Sequence, residues 1–182
     1  MTTYYSNNNL FSYTVTNNSS TYTLDSDDYT IIAAAFNKWD ELLDKDPRFT
    51  TYTITVSVSV STLDAGVLGG ASLNTVYYFG TMNFGNTFPA DGNITLSDSY
   101  LPNLKTAIHE DGNSSYYHVF LHELGHILGI GNLWHLNGAA HTDESQNITY
   151  YLGKHAIREY KNYFGNHLLF IPIENDGGTG TQ

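Results

Sequence analysis

Tyr117-His118-Val119-Phe120-Leu121-His122-Glu123-Leu124-Gly125-His126-Ile127-Leu128-Gly129 is the stretch on which the reading of this chain turns. Phe120, Leu121, Leu124, Ile127 and Leu128 recur at helical spacing and form one apolar stripe. His122 and His126 stand four residues apart, so on a helix they project from one face and both imidazoles can reach a single ion. Glu123 lies beside them. The spacing therefore predicts a helix that buries its apolar side and turns His122, Glu123 and His126 towards a cleft. Asn113, Ser114 or Ser115 can cap its start, and Gly129 suits a left-handed residue at its end. The plainer alternative is an ordinary amphipathic helix with two solvated histidines.

The pattern H-E-x-x-H is the spacing in which two histidines hold zinc and the glutamate between them acts on water. Catalytic zinc needs three protein ligands and an open position. His122 and His126 supply two. Glu123 would take a proton from water as general base and return it to the leaving amine. In the longer form H-E-x-x-H-x-x-G-x-x-H this chain has His122, Glu123, His126 and Gly129, but Asn132 stands at the last position, and an amide oxygen is a poor zinc ligand. His135 and His141 are the nearest candidates for the third place. His109, His118, His155 and His167 have no spacing that argues for ligation. The only methionines, Met1 and Met82, both precede the helix.

With 182 residues, 41% hydrophobic, the chain can bury a sizeable core, and we expect a single domain in two lobes across a cleft. The net charge of −11 argues against nucleic acid and anionic membrane as partners, and no apolar run is long enough to span a bilayer. Without cysteine there are no disulfides and no thiolate ligands. The start lacks a signal-peptide pattern, whereas the Thr, Ser, Asn and Tyr content with few lysines suggests an extracellular or cell-surface protein. Asn93, Asn113 and Asn147 begin glycosylation sequons.

Before the motif, Met1 to Asn9 reads as a frayed end, and Leu10 to Leu24 as a hairpin or two short strands turning at Asn17-Asn18. A helix capped by Asp27 or Asp28 should run to about Leu43, with Ile32, Ala35, Phe36, Trp39, Leu42 and Leu43 inward and Pro47 beyond its end. The aspartates Asp25, Asp27 and Asp28 have the composition of a Ca2+ loop, but capping explains them at less cost. Tyr52, Ile54, Val56, Val58 and Val60 alternate with Thr and Ser as a half-buried strand. Val67, Leu68, Gly69, Gly70 and Ala71 form a glycine-containing strand at a substrate-binding edge.

Tyr77, Tyr78, Phe79, Met82, Phe84 and Phe88 read as core and loop packing, Pro89 to Gly92 as a turn, and Asn93 to Ser97 as a short strand. Leu101 to Asp111 is a connection with a helical turn, 131–138 a loop, and Gly153 to Phe164 a second helix. Leu168 to Ile173 is extended, and Glu174 to Gln182 is a flexible tail.

The run from His122 to Trp134 resembles the leishmanolysin-like branch of the metzincin zinc metallopeptidases, in which an insertion separates the glycine from the third histidine. Gly66 to Ala71 resembles that group's strand before the active-site helix, Phe36 to Trp39 its first helix, and Ile171 to Thr181 the stretch preceding the third histidine. The resemblance implies an α+β, zincin-like fold, with a mixed twisted sheet and two main helices over the cleft, an N-terminal lobe 1–131 that carries the active-site helix, a small, truncated C-terminal lobe 132–182, and a third zinc ligand beyond Gln182. It also implies Zn2+ as cofactor, a protein or peptide substrate, and a longer parent with further C-terminal domains. The leading expectation is thus a secreted zinc endopeptidase. Against it stands a non-catalytic binding or structural module that keeps the fold with an incomplete metal site, an alternative favoured by Asn132 and disfavoured by Glu123. A hydrolase of non-peptide substrates fits the edge strand less well.

Overall fold

The computed structural model describes residues 2–43, 52–78, 87–145, 148–165 and 170–173. The readings placed on Pro47, on Phe79, Met82 and Phe84, on Asn147, on His167 to Leu169 and on Glu174 to Gln182 fall outside them. In chain order the elements are β1 (Thr3–Tyr5), β2 (Phe11–Asn17), α1 (Ser26–Leu42), β3 (Ile54–Ser61), β4 (Gly69–Tyr78), β5 (Thr87–Ser97), α2 (Leu101–Thr106), α3 (Ser115–Ile127), β6 (Ala140–Asp143), β7 (Ile148–Tyr151), α4 (Lys154–Phe164) and β8 (Ile171–Ile173). The fold is α+β, with a mixed sheet and four helices among the described residues. By compactness the chain divides into one unit, Met1–Val76 with Pro89–Gly129, and a second, Tyr77–Phe88 with Ile130–Gln182.

In the first unit the strand order is β1-β2-β3-β5-β4. The alternation read from Tyr52 to Val60 holds: Ile54, Val56, Val58 and Val60 are all buried. β3 pairs in parallel with β2 on one side and β5 on the other. The registers align Val15, Val58 and Ile94 in one inward row and Tyr13, Val56 and Gly92 in the next. These rows join Ile32, Ala35 and Phe36 of α1 and Phe120, Leu124 and Ile127 of α3 in a single core. The opposite face is hydroxylated, with pairs such as Ser12–Thr55 and Ser59–Thr95 at 3.2 and 3.1 Å. β4 runs antiparallel to β5, since the Ser97 N–H donates to the Leu68 carbonyl while Ser72 lies beside Gly92.

Several expectations are corrected. Thr3–Tyr5 is not frayed but pairs antiparallel with β2, because a turn at Ser6 to Asn9, with Asn9 at φ +57°, folds it back. Asn17-Asn18 is not a hairpin turn. β2 pairs with β3 instead, and the segment after it is a loop whose Ser19 and Thr21 hydroxyls donate to Asp98 at 2.6 and 3.1 Å. Pro89 to Gly92 belongs to β5, where the Pro89 carbonyl accepts from the Tyr52 hydroxyl. Leu42, Leu43, Tyr77 and Tyr78 are exposed rather than packed inward.

The helix caps are local chemistry. Asp25, not Asp27 or Asp28, caps α1, and Asp28 answers from the third helical position to complete a capping box. Capping is therefore what this acidic cluster does. Asp28 is fully buried, accepts from the Tyr22 hydroxyl at 2.9 Å and lies 3.2 Å from Lys105 Nζ, which reaches across from α2 and also bonds Asp25 at 2.8 Å.

In the second unit, β6, β7 and β8 form an antiparallel sheet in that order; β6 and β7 were not foreseen, being only four residues each. The 131–138 segment is a series of turns, in which the Asn137 side chain bonds both the N–H and the carbonyl of Thr87 at 3.0 Å. Trp134 packs against Tyr151 with ring centroids 4.7 Å apart. α4 follows the predicted span, though none of its residues is fully buried.

Lys105→Met keeps the stem and removes the ammonium, leaving buried Asp28 short of its cationic partner. It is expected to cost about 2 kcal/mol in denaturant unfolding at neutral pH. Lys105 and the cap amides also hold Asp25 at about 2, below its ordinary 3.8. A depressed carboxylate adds stability above its unfolded value and loses it as pH falls towards the folded one. The gap between wild type and variant should therefore narrow from pH 3.8 towards about 2; a gap constant across that window would contradict the assignment.

Candidate functional site

α3 begins where the Ser114 hydroxyl accepts from the Tyr117 N–H at 3.3 Å, and it ends at Gly129, whose φ of +95° turns the chain away. Phe120, Leu124 and Ile127 are fully buried, with Leu121 and Leu128 packed at the core's margin. On the other side His122 is exposed and His126 half-buried. Their Nε2 atoms face each other at 3.0 Å, with the rings nearly perpendicular at 89°. Across such a gap two neutral imidazoles either share one proton or aim both lone pairs at a cation. A zinc ion held by each nitrogen at roughly 2.05 Å with tetrahedral angles needs them about 3.3 Å apart, so the pair fits with a small opening.

Glu123 is buried, not turned outward with the histidines as the helical pattern suggested. β4 runs alongside it: a Cβ at Gly69 would stand 3.4 Å from Glu123 Cγ, 3.4 Å from the Thr95 carbonyl and 3.3 Å from Leu96 Cδ2. Gly69 thus leaves the space beside which the glutamate lies. Burial pushes the Glu123 carboxyl above its ordinary value, while the neighbouring His122 and His126 pull it the other way.

The helix is seated by a second glycine. Gly92 occupies the inward row after Tyr13 and Val56, and a Cβ there would meet Ile127 Cδ1 at 2.5 Å and the Ser72 carbonyl at 2.6 Å. Ile127, next to His126, fills the gap. From the other side the Trp39 indole N–H donates to the Leu121 carbonyl at 3.0 Å, tying α1 to the turn that carries His122.

Of the five residues read as a substrate edge, Gly69, Gly70 and Ala71 lie in β4, which is the edge of the sheet among the described strands. Val67 and Leu68 lead into it, after a turn in which Gly66 has φ +89°. His135 and His141 belong to the second unit, in the turns after Gly131 and on β6, and both are exposed. Among the described residues no three His, Cys, Asp or Glu side chains are already gathered around one point. A scan against protein-family models finds no match to this chain, and a search of curated proteins finds none.

Sequence reasoning had no place for Gly92 beyond a turn and took Trp39 only as core. The period of α1 set Trp39's face, but nothing local named an acceptor 82 positions away. Trp39→Phe retains the ring and removes the donor. It is expected to cost about 1 kcal/mol of stability, read from the denaturation midpoint, and an unchanged midpoint would mean the bond contributes nothing.

Proposed function

We propose that this chain is a zinc-dependent endopeptidase of metzincin-like, leishmanolysin-like type, acting on extended peptide segments in an extracellular setting. The observation that carries the reading is the His122 and His126 nitrogen pair, 3.0 Å apart on one face of α3, with the buried carboxylate of Glu123 in the same turn. His122 and His126 would hold the zinc through their facing Nε2 atoms. Zinc there supplies Lewis acidity towards a water molecule and a carbonyl oxygen.

The chain's own residues do the rest. Glu123, desolvated and raised in pKa, accepts a proton from water more readily than an exposed glutamate would and can return it to the departing amine. The β4 edge offers backbone N–H and carbonyl groups to an extended peptide, as in strand addition. β4 passes beside Glu123, where a Cβ built on Gly69 would stand 3.4 Å from its Cγ, so the strand that would align a substrate runs next to the group that would act on it. The hydroxyl-rich, lysine-poor composition supports the extracellular setting.

A second reading is a binding module that retains the fold with an incomplete metal site. Asn132 and the absence of a third gathered ligand among the described residues favour it. A buried glutamate between the two histidines weighs against it, since a module without catalysis has no use for a desolvated carboxylate there.

Glu123→Gln, which preserves volume, separates the two. The endopeptidase reading expects peptide hydrolysis to fall by roughly 10²- to 10⁴-fold in kcat, with zinc content by elemental mass spectrometry unchanged. Hydrolysis that persists at the wild-type rate would remove Glu123 from the mechanism. Wild-type protein that neither binds zinc nor cleaves peptides would favour the module.

A further inference from the structure

The segment before α3 pairs Asp111 with His118 and brings His109 alongside, its ring turned to Ser115, a set that the zinc reading does not use. The Ile108 to Ser114 stretch closes on itself: these two residues bridge, the His109 N–H donates to the Asn113 carbonyl at 2.8 Å, and Gly112, at φ +82°, returns its N–H to the His109 carbonyl at 3.0 Å. The closed turn lays Asp111 and His109 against the first turns of α3. His118 Nε2 stands 3.3 Å from Asp111 Oδ1 and 3.2 Å from Oδ2. The His109 and His118 rings meet edge to face with centroids 4.5 Å apart, close to the 4.6 Å of His122 and His126.

The lone pairs can be counted. Asp111 accepts the Asn113 N–H on Oδ1 and the Asn113 amide on Oδ2, at 3.0 and 2.9 Å, which fixes the carboxylate and leaves each oxygen further acceptor capacity on the side of His118. A nitrogen and an oxygen that bind one zinc at about 2.0–2.1 Å each lie roughly 3.3 Å apart. The His118 and Asp111 separation already matches. His109 is the adjustable member, since its Nε2 now meets Ser115 Oγ at 2.9 Å and must turn from that hydroxyl to join. Neither histidine is needed to cap α3, because Ser114 already does so.

We propose that His109, Asp111 and His118 form a second binding site for a borderline divalent cation of the zinc class, one helical turn before the His122 and His126 pair. Two imidazoles and one carboxylate suit such an ion better than calcium or magnesium, which take oxygen donors. His118 lies four residues before His122, a rise of about 6 Å along the helix.

The proposal does not depend on the peptidase reading and is tested apart from it. In the full chain, His122→Ala with His126→Ala removes the first pair. Zn2+ titration of that double variant by calorimetry and by equilibrium dialysis should still show one equivalent bound. Adding His118→Ala should weaken it at least tenfold, and adding His109→Ala or Asp111→Asn should weaken it in the same direction. No Zn2+ bound by the double variant, or binding indifferent to His109 and Asp111, would overturn the site, the latter leaving only a single surface histidine. Should the double variant fail to fold, Asp111→Asn in the otherwise wild-type chain decides. Loss of one equivalent relative to wild type supports the site, and unchanged stoichiometry overturns it.

Discussion

The close approach of α3 to the sheet at Gly92 governs the geometry of the first unit. A methyl group there would collide with both Ile127 and the Ser72 backbone, and only one of those could yield as a side chain. With the position bare, Ile127 drops into the row of Tyr13 and Val56 and α3 lies low across β5. The next strand out, β4, passes beside Glu123, where a Cβ built on Gly69 would stand 3.4 Å from its Cγ. One missing side chain therefore sets how closely the helix that carries the histidines can approach the sheet. Interiors are packed too tightly for the Gly92 space to be filled without displacing something.

Around that contact, polar groups lock the pieces that hydrophobic burial alone would leave free to slide. Trp39 pins α1 to the main chain of α3 beside His122. Lys105, on the short α2, spans the start of α1 and neutralises Asp28 in the core, where an unpaired carboxylate would be costly. At the ends of β2, β3 and β5, Asp98 collects hydroxyls from Ser19, Thr21, Thr62 and Ser99 and is held below the usual carboxylate range, chiefly by Ser19. These bonds are directional, so they set rotation and register, whereas burial sets only proximity.

The chemistry follows from two contrasts on one helix. His122 and His126 are accessible and aimed at each other; Glu123, one residue from His122, is desolvated. Two facing imidazole nitrogens beside a carboxylate that burial raises in pKa are the arrangement on which the proposed proton transfer to and from water rests. One turn earlier the same helix carries His118, which shares its carboxylate with a closed turn rather than with the core. The difference in burial between Glu123 and Asp111 separates a group fit to exchange protons from one fit to remain charged.

The sequence by itself determined what depends on near neighbours. The span of α3, its left-handed stop at Gly129, the burial of alternate residues in β3, the extent of α1 and α4, and the pairing of His122 with His126 all follow from period and capping over a few residues. It failed where meaning depended on what arrives from elsewhere. Pro89 to Gly92 has the letters of a turn, yet is a strand because β3 supplies the ladder and Ile127 supplies the packing. Thr3–Tyr5 looked too polar to order, but β2 offers it a partner. Helical spacing put Glu123 on the open face; only the tertiary structure, by bringing a glycine of β4 alongside, decided that it is buried. The same holds for His109, Asp111 and His118, whose separations along the chain carry no ligand pattern until Gly112 closes the turn between them. Local sequence encodes faces and ends, while burial and pKa belong to the neighbours that folding brings together.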